Sequence, residues 1–452
     1  VYGAFLQASG GLRFIQGVGT WVSGRLASGA GMLAVVTSTL VGSVTGSTAA
    51  NITITGSFTI PMMKERGYSK EQAGAIELAA SNGGQILPPI MGAVAFLLAN
   101  YIGMPYLRVI GFAAVPALLY FACLAVYVQL QAKKGNFKRL DVPVNGKEIL
   151  LDSPLFIIPF IVLVLLLLQG FSLMYVGFWS IMSIIATGII SHLFRTNKEA
   201  KINWKEAKNK LVGGIVGASD VTIIAALLGA IIAIIEMSGL GLKLGVFLVD
   251  VSDGNLFLLL VSAAIVCLIL GTGVPSLAAY MITATVLAWP IVQLGVTPIA
   301  AHLFILVFSV FSHLTPPIGA GLLIASRLAG GNYWGTAREA LKAAFIIFFL
   351  PFLFVYNPAL ILQFEGLSSL DIVMQFINVI VLIISMSFLF NNYALAKINV
   401  LDRGLFIIAG IAGLLFTILP TVGFPGQVIL LNVIAIVSCV LGILLNKWRA
   451  IN

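Results

Sequence analysis

Small polar residues interrupt two long apolar stretches near the start of the chain. The first interruption, Gly42–Asn51, is rich in Gly, Ser and Thr and lies inside an apolar segment from about Leu26 to Met63. The second, Ser81–Pro89, ends in a Pro-Pro pair within another apolar run. Hydroxyl, amide and freed carbonyl oxygens at such points are hard ligands that suit a cation such as Na⁺. The helix that follows a Gly-rich break presents free backbone amides, which attract an anion.

Both interruptions recur about 230 residues later in the same order. Gly271–Ala279 resembles the first, with Ser276 in the position of Ser47, and Ser309–Pro317 resembles the second. Ser47 and Pro88 are 41 positions apart, and Ser276 and Pro316 are 40 apart. Matched breaks in two halves of an apolar chain are a sequence indication of a transporter's binding site.

The composition indicates a polytopic membrane protein. The 452 residues are 60% hydrophobic and only 9% charged, whereas soluble domains carry roughly 25% charged residues. The net charge of +9 comes from basic residues in short loops between apolar segments, a pattern that argues against nucleic-acid binding. The three Cys and three His are too dispersed to form a metal or redox site. Because the sequence begins at Val1 within an apolar stretch, we expect it to be part of a longer protein.

Basic loops predict which ends of the spans face the cytoplasm. The two richest loops, Lys133–Lys147 and Arg195–Lys210, are separated by two spans and therefore lie on one side. On this basis both ends of the segment around Gly42–Asn51 are cytoplasmic, so it is predicted to be a re-entrant hairpin. The same reasoning predicts that the hairpin around Gly271–Ser276 enters the membrane from the outside. A sparsely charged connector around Lys243 and Asp250 is predicted to precede it. Each hairpin is followed by a span broken at Pro-Pro, and the two halves form an inverted-topology repeat.

The predicted fold is an all-α polytopic membrane protein with two re-entrant helical hairpins and two Pro-Pro-broken spans. The domain boundaries follow from the same pattern. They are a first inverted repeat at 1–132 (hairpin about 26–63, broken span about 72–102), cytoplasmic loops and two linking or scaffold spans at 133–210, a second inverted repeat at 211–362 (hairpin about 255–294, broken span about 298–325), and a C-terminal transmembrane extension at 363–452, with spans expected at Ala343–Leu362, Asp371–Asn391, Gly404–Thr421 and Gln427–Leu445.

The breaks predict particular ligands. Proline removes an amide donor and frees a carbonyl one turn earlier, and non-helical backbone at membrane depth persists only against protein or water. The candidate substrate contacts are Ser47, Thr48, Asn51, Gln85, Ser276 and His313, and the structural breaks are Pro88, Pro89, Pro275, Pro316 and Pro317. The alternative is that Gly and Pro here only allow packing or kinks, as they often do in membrane helices. Four breaks in matched order and spacing favour the functional interpretation.

Three carboxylates lie in or near predicted spans, and an intramembrane carboxylate is a functional hypothesis by default. Glu77 and Glu236 are close to span ends or kinks, where they would be solvated or paired. Asp220, with Ser219 and Thr222 beside it, is predicted to form a buried polar cluster.

The chain resembles the large membrane subunit of TRAP transporters, the tripartite ATP-independent periplasmic family, and looks closest to the fused permeases of its TAXI branch. The resemblance covers about Val1 to Leu362. It rests on Gly42–Asn51, Ile60–Tyr68, Ala79–Ser81 leading to Pro88-Pro89, and Leu314–Gly319. It implies a Na⁺-coupled secondary transporter of an organic acid with an elevator mechanism and no organic cofactor. The implied partners are a periplasmic TAXI-type binding protein and a small membrane subunit, either separate or fused upstream of Val1. The implied location is a bacterial or archaeal cytoplasmic (inner) membrane.

The resemblance also implies Na⁺ ligands at matching positions. They are Ser43, Gly46, Ser47 and Asn82 in the first half, and Gly271, Gly273, Ser312 and Thr315 in the second. Many relatives have Ser-Ser or Ser-Thr in place of Ser81-Asn82 and lack the Gly83-Gly84-Gln85 run, so substrate contacts there do not transfer directly. The alternatives are a symporter or Na⁺/H⁺ antiporter of related inverted-repeat fold that needs no binding protein. An integral membrane enzyme is a more remote alternative, because the sequence shows no catalytic set of residues.

Overall fold

The computed structural model describes residues 2–24, 26, 28–137, 146–194, 204–418 and 428–451. These residues form helices and the turns between them. The helices are α1 Tyr2–Ser9, α2 Gly11–Ser23, α3 Gly29–Thr45, α4 Thr48–Glu65, α5 Lys70–Gly83, α6 Ala93–Tyr101, α7 Tyr106–Gly135, α8 Gly146–Leu168, α9 Leu173–Phe194, α10 Trp204–Met237, α11 Leu240–Val251, α12 Leu256–Leu270, α13 Ser276–Gln293, α14 Pro298–Phe311, α15 Ala320–Ala329, α16 Tyr333–Ala343, α17 Leu350–Tyr356, α18 Ser369–Asn391, α19 Val400–Ile418 and α20 Val428–Ile451.

Six stretches of the described helices are long and apolar enough to cross a membrane. A bent pair, Gly229–Ile235 with Leu240–Val251, would make a seventh span if it is counted as one. This agrees with the predicted all-helical polytopic membrane protein. The six are Tyr106–Gly135, Gly146–Leu168, Met174–Leu193, Ser276–Gln293, Ser369–Asn391 and Leu430–Ile451.

The first polar interruption separates two antiparallel-packed helices, and the second breaks a helix. Helix α3 ends at Thr45 and α4 begins at Thr48, so Gly46 and Ser47 form the tip of a helical hairpin. Helix α5 ends in a 3₁₀ turn, Gly84–Ile86, and helix resumes only at Ala93 after the Pro-Pro pair. The hairpin packs against α5 through both of its arms. We call this hairpin and broken helix the first unit, residues 29–101.

The second half repeats this arrangement. Helices α12 and α13 form a hairpin with its tip at 271–275. Helix α14 ends in a 3₁₀ turn, Ser312–Leu314, before the second Pro-Pro pair and α15. We call these elements the second unit, residues 256–329. The helical breaks were therefore predicted correctly, while the orientation of each hairpin relative to the membrane remains a prediction.

The two units pack together in one core. Helix α15 of the second unit lies against α4 and α5 of the first, and α6 of the first lies against α13 and α14. Tyr120 of α7 is fully buried between them, with its ring edge-on to Phe311 at 5.1 Å and its hydroxyl donating to Ala79 O at 2.8 Å. The two units therefore share a core, to which α7 contributes.

One expectation about helices is wrong. Ala343–Leu362 is not one span: it consists of a 3₁₀ turn, the short helix α17 and a second 3₁₀ turn. Pro351 and Pro358 each stand at the start of a new turn, where the missing amide is tolerated, so they divide the segment. The connector expected around Lys243 and Asp250 is helical: it forms α11, in which ten of the twelve residues are Gly, Leu, Val or Phe and two are charged.

Three further findings concern the start of the chain and α10. Gly10 divides the start into α1 and α2, and Arg13 lies 3.7 Å from Asp152 on α8, which accounts for a cation in this apolar region. Ser219 and Thr222 are exposed and bond only to carbonyls of their own helix, so they do not form the predicted buried cluster. The side chains of Asp220 and Glu236 lie outside the described residues.

Candidate functional site

Glycines let the first hairpin tip touch the backbone of the broken helix. A Cβ on Gly42 would lie 2.8 Å from the Cα of Gly84, and one on Gly46 would lie 2.3 Å from the Cα of Gly92. Gly46 also has φ of 61°, a left-handed conformation that disfavours other residues. The tip therefore packs onto both sides of the Pro88-Pro89 break, backbone against backbone.

The second tip makes an equivalent contact. A Cβ on Gly271 would lie 2.3 Å from the hydroxyl of Ser312, which occupies the same place before its Pro-Pro pair as Gly84 does. Gly273 turns the chain with φ of 74°. Pro275 directly precedes α13 at its N-cap, and its extended backbone (ψ of 147°) leads into the first turn.

A polar bridge joins each hairpin to its broken helix. In the first unit the Gln85 amide donates to the Thr48 hydroxyl at 2.5 Å, and Thr48 donates to Asn82 Oδ1 at 2.6 Å. In the second unit the Ser276 hydroxyl lies 3.3 Å from His313 Nδ1. Thr48 and Ser276 are the first residues of α4 and α13, and Gln85 and His313 are the middle residues of the two 3₁₀ turns. The candidates named from sequence therefore meet in matched pairs, in which Ser276 corresponds to Thr48 and not, as the sequence suggested, to Ser47.

His313 closes the second tip. Its Nε2 lies 2.7 Å from the carbonyl of Val274, and a carbonyl can only accept, so Nε2 carries the hydrogen. Nδ1 is then the acceptor for Ser276. Both ring nitrogens are engaged in the described structure, which makes His313 a clamp of the tip rather than a free ligand.

A tyrosine caps the carbonyls freed at each Pro-Pro break. The Tyr106 hydroxyl contacts Pro89 O at 2.8 Å and Ile90 O at 2.7 Å. The Tyr333 hydroxyl donates to Pro317 O at 2.9 Å and accepts from Gly319 N at 3.1 Å. Both Pro-Pro bonds are cis. The sequence interpretation missed both tyrosines, although each follows its Pro-Pro pair by a similar interval, 17 and 16 positions.

Several candidate ligands keep oxygen lone pairs available for a cation. The hydroxyls of Ser43, Ser312 and Thr315 donate to backbone carbonyls at 2.7–3.0 Å, so their hydrogens are used and their lone pairs are not. Gln85 Oε1 and Asn82 Nδ2 are buried and have no hydrogen-bond partner in the described structure. A lone buried oxygen beside a hydroxyl and free carbonyls fits a hard cation, whereas the orphaned amide fits an anion.

Two candidates have a different role from their neighbours. Ser47 is exposed at the first tip, where its hydroxyl caps α4 by accepting from Ala50 N at 3.4 Å. Asn51 is fully buried and donates to Ser38 O at 2.7 Å, which ties the two arms of the hairpin together. Ser47 is therefore placed to meet a ligand, and Asn51 supports the hairpin from inside.

Glu77 is the centre of a buried network that the sequence interpretation did not anticipate. Its side chain has 0% exposure, although it was expected to be solvated or ion-paired. Its Oε1 accepts hydrogen bonds from Ser38 at 2.7 Å, Ser81 at 3.2 Å and Thr55, and its Oε2 accepts from Thr59 at 2.5 Å. The donors come from α3, α4 and α5, so the carboxyl joins both arms of the hairpin to the broken helix.

An open groove of about 690 Å³ lies beside the second break. It is lined by Pro316 and by the aromatic and basic side chains of α16 and the segment after it, including Arg338 and Lys342. Lys342 is already paired with Glu339 at 2.7 Å. Among the described residues, no three His, Cys, Asp or Glu side chains are grouped as a metal site, so a cation here would depend on neutral oxygens.

Comparison with known proteins identifies the family. The family model described as "Tripartite ATP-independent periplasmic transporter, DctM component" matches residues 1–365, which include both hairpins and both breaks. The chain belongs to the DctM family of TRAP transporters. The DctM match ends just before α18, so α18–α20 lie beyond the part that defines the family.

Two curated DctM relatives are 24% identical to this chain. One is the "Isethionate TRAP transporter permease protein DctMQ" of Oleidesulfovibrio alaskensis, matched over 80% of this chain and 56% of the relative. The other is the "C4-dicarboxylate TRAP transporter large permease protein DctM" of Pseudomonas aeruginosa, matched over 79% of this chain and 82% of the relative. The chain thus spans little more than half the length of the DctMQ relative.

Proposed function

We propose that this DctM chain is the permease component of a secondary transporter that takes up a small organic acid together with Na⁺. The observation that carries the proposal is the pairing of the two tips with the two breaks. The first pairing brings hydroxyl and side-chain amide groups, and the second a hydroxyl and a backbone carbonyl, next to the first turn of a helix, which presents backbone amides. Oxygens suit Na⁺ and amides suit the acid's anionic group.

The proposed partners follow from the family and from the relatives' names. A periplasmic binding protein, of the TAXI type on the sequence resemblance, would deliver the acid. A small membrane subunit would complete the permease. The name of the relative DctMQ combines two letters, M and Q, as expected for two joined subunits. The acids to test first are isethionate, C4-dicarboxylates and other C4–C6 acids. The complex would lie in the bacterial cytoplasmic membrane.

We further propose an elevator mechanism for this transport. The two hairpins and two broken helices pack on one another as a connected body. Helices such as α8 and α9 pack chiefly on each other and on the start of the chain, so they would form the static scaffold. Movement of the body would expose the paired tips first to one side of the membrane and then to the other.

The test is uptake into proteoliposomes that contain the full permease. Labelled acids are supplied with and without an inward Na⁺ gradient and with and without the cognate binding protein. Uptake that needs both supports the proposal. Uptake with Na⁺ alone would indicate a symporter that works without a binding protein, and uptake insensitive to Na⁺ would contradict the cation site.

One substitution connects the assay to the site. Thr48→Val removes the hydroxyl that links Gln85 and Asn82, and it leaves two buried amides without that partner, at a cost of about 1–3 kcal/mol each. We expect a large loss of Na⁺-driven uptake, seen mainly as a higher Na⁺ concentration for half-maximal rate. Thr53→Val on the exposed face of the same helix is the matched control, because its hydroxyl bonds only to Ala49 O. Equal behaviour of both variants would exclude Thr48 from the site.

A further inference from the structure

The carboxyl of Glu77 is buried without a cation beside it. Among the described residues, no Lys, Arg or His lies within ion-pairing distance of its oxygens, which contact only the hydroxyls of Ser38, Thr55, Thr59 and Ser81. A buried ionised carboxylate is costly without a partner, and such a group readily becomes neutral by binding a proton.

The titratable and charged groups on the helices packed around α5 make their recorded contacts elsewhere. Lys64 on α4 donates to Ala329 O, Lys134 on α7 to Asn391 O, Lys342 on α16 to Glu339, Tyr120 to Ala79 O, Tyr127 to Glu339, and His313 bonds to Val274 O. The others on these elements, none of which contacts Glu77 in the described structure, are Glu65, Lys70, Glu71, Tyr106, Arg108, Cys123, Lys133, Arg327, Tyr333 and Arg338.

The hydroxyl network can satisfy Glu77 both with and without a proton. When the carboxyl is ionised, all four hydroxyls donate to it. When it is protonated, Oε2–H can donate to Thr59, whose own hydrogen then turns to Thr55 O at 2.9 Å. Thr55 has the same alternative in Asn51 O at 2.8 Å. Neither form leaves a buried polar hydrogen without an acceptor, which is the property required of a reversible proton site.

The second unit shows that packing alone does not require this carboxyl. Cys267, Thr283 and Ser309 occupy the positions that match Ser38, Thr55 and Ser81, and Thr283 and Ser309 hydroxyls are 3.0 Å apart. The residue that matches Glu77 is Ile305, which is fully buried. The same junction of hairpin and broken helix is therefore built with an apolar side chain in one unit and a carboxyl in the other.

The spacing of the oxygens favours a proton over a metal ion at this point. Hard cations stand about 2.3–2.6 Å from each of several oxygen ligands, which keeps those ligands well apart. Here Ser38 Oγ is 2.7 Å from Glu77 Oε1 and 2.9 Å from Thr55 Oγ1, distances typical of hydrogen bonds. The oxygens are therefore joined directly by hydrogen bonds, without a cation between them.

We infer that the Glu77 carboxyl binds and releases a proton during the transport cycle. This inference rests on the proposed transport function. The proton comes from water and returns to water, with one carboxyl O–H bond formed and later broken and no other bond changed. Because the four hydroxyls come from three helices, any displacement of the first hairpin from α5 removes donors from the carboxylate. The position of the first hairpin and the protonation of Glu77 are therefore linked. This link is separate from the proposed Na⁺ site at the tips.

The test compares Glu77→Gln with the wild type in proteoliposomes. The Na⁺ gradient and binding protein are held constant while an inward proton gradient is imposed. We expect the proton gradient to stimulate uptake by the wild type and to have no effect on Glu77→Gln, whose amide imitates the neutral acid. Glu65→Gln, a change to an exposed carboxyl on α4, should retain the wild-type response. An unresponsive wild type, or a Glu77→Gln variant with the full response, would overturn the inference.

Infrared difference spectra provide a readout that needs no transport. The purified permease should show a carboxyl C=O band that titrates with pH and is missing from Glu77→Gln. If no acid is taken up under any condition, the proposed function fails, and this titration still decides whether Glu77 binds a proton. Thr59→Val is a second variant in case Glu77→Gln does not fold. It removes one donor to the anion, so the band should titrate at higher pH, and an unchanged titration would contradict the network.

Discussion

At the scale of single residues, the site depends on where side chains are absent. Gly42, Gly46, Gly84 and Gly92 allow the first tip and the first break to meet through their backbones. Close approach of this kind leaves no side chain between the backbone carbonyls and amides of the two segments. In the second unit Ser312 replaces one glycine of the pair and adds a hydroxyl at the same point. The two halves therefore present related but different oxygen sets.

Gly46→Ala is expected to remove uptake and lower stability. The substitution imposes a left-handed backbone on alanine, at about 1–2 kcal/mol, and drives its Cβ into Gly92, adding about 1–3 kcal/mol of overpacking. Gly103→Ala is the matched control, since Gly103 has φ of 63° but no atom near the added Cβ. Thermal unfolding in detergent and Na⁺-driven uptake measure the difference. A Gly46→Ala protein no worse than Gly103→Ala would contradict the tip-to-break contact.

At the scale of elements, each hairpin is held by hydrogen bonds at two levels. One level is the bridge at the tip, Thr48 with Gln85 or Ser276 with His313. The other lies deeper, at Glu77 in the first unit and at Thr283 with Ser309 in the second. A third link joins the first unit to the turn that follows the second: Glu71 at the start of α5 accepts from Asn332 N, between α15 and α16, at 3.1 Å.

The Glu71 link should contribute a small stability that depends on pH. The hydrogen bond from the Asn332 backbone is the main cause that lowers the pKa of Glu71 below its usual value. A lowered pKa in the folded state stabilises the protein at neutral pH, and this contribution is lost as pH falls and the carboxyl is protonated. Because Glu71 is partly exposed to solvent, we expect less than about 1 kcal/mol. The unfolding temperature of the wild type should be higher than that of Glu71→Gln at neutral pH, and the two temperatures should become equal in acid. A difference in unfolding temperature that does not change with pH would contradict a contribution from the charge of Glu71.

At the scale of the whole molecule, one connected body carries the site and a separate bundle follows it. The family match ends at residue 365. Beyond it α18, α19 and α20 pack on one another, and α18 also packs on α7. The buried Asp402 on α19 holds the bundle together by accepting from Arg449 and from Asn446, the latter at 2.9 Å. The bundle thus adds its own polar contact, and its α18 contributes Val379, Leu382 and Ile383 to the main core.

The proposed elevator movement predicts access to the first tip from both sides of the membrane. Ala50→Cys is placed beside the tip at an exposed position, in a background with Cys123, Cys267 and Cys439 replaced by alanine. A membrane-impermeant maleimide should label it from either side, in proportions that change with Na⁺ and substrate. Gln169→Cys, on the exposed α8–α9 turn, is the control and should be labelled from one side only. One-sided labelling of Ala50→Cys under all conditions would contradict the movement.

Sequence alone determined the order of the elements and the positions of their breaks. Apolar runs of sufficient length, Gly-rich tips and Pro-Pro pairs act locally, because they depend on hydrogen-bond donors and backbone freedom within a few residues. The same local logic placed Thr48, Gln85, Ser276 and His313 at helix starts and 3₁₀ turns. It failed at Ala343–Leu362, where composition suggested a span and two prolines divide it.

Tertiary structure alone decided which polar groups meet. The pairing of Thr48 with Gln85, the capping of the breaks by Tyr106 and Tyr333, and three of the four hydroxyls around Glu77 join residues from 16 to 39 positions apart. These contacts depend on the rotation and depth of packed helices, which no local pattern specifies. Glu77 shows the difference most clearly: its place near a helix break suggested contact with solvent, whereas the packing of α3 and α4 onto α5 excludes water and leaves hydroxyls as its recorded partners.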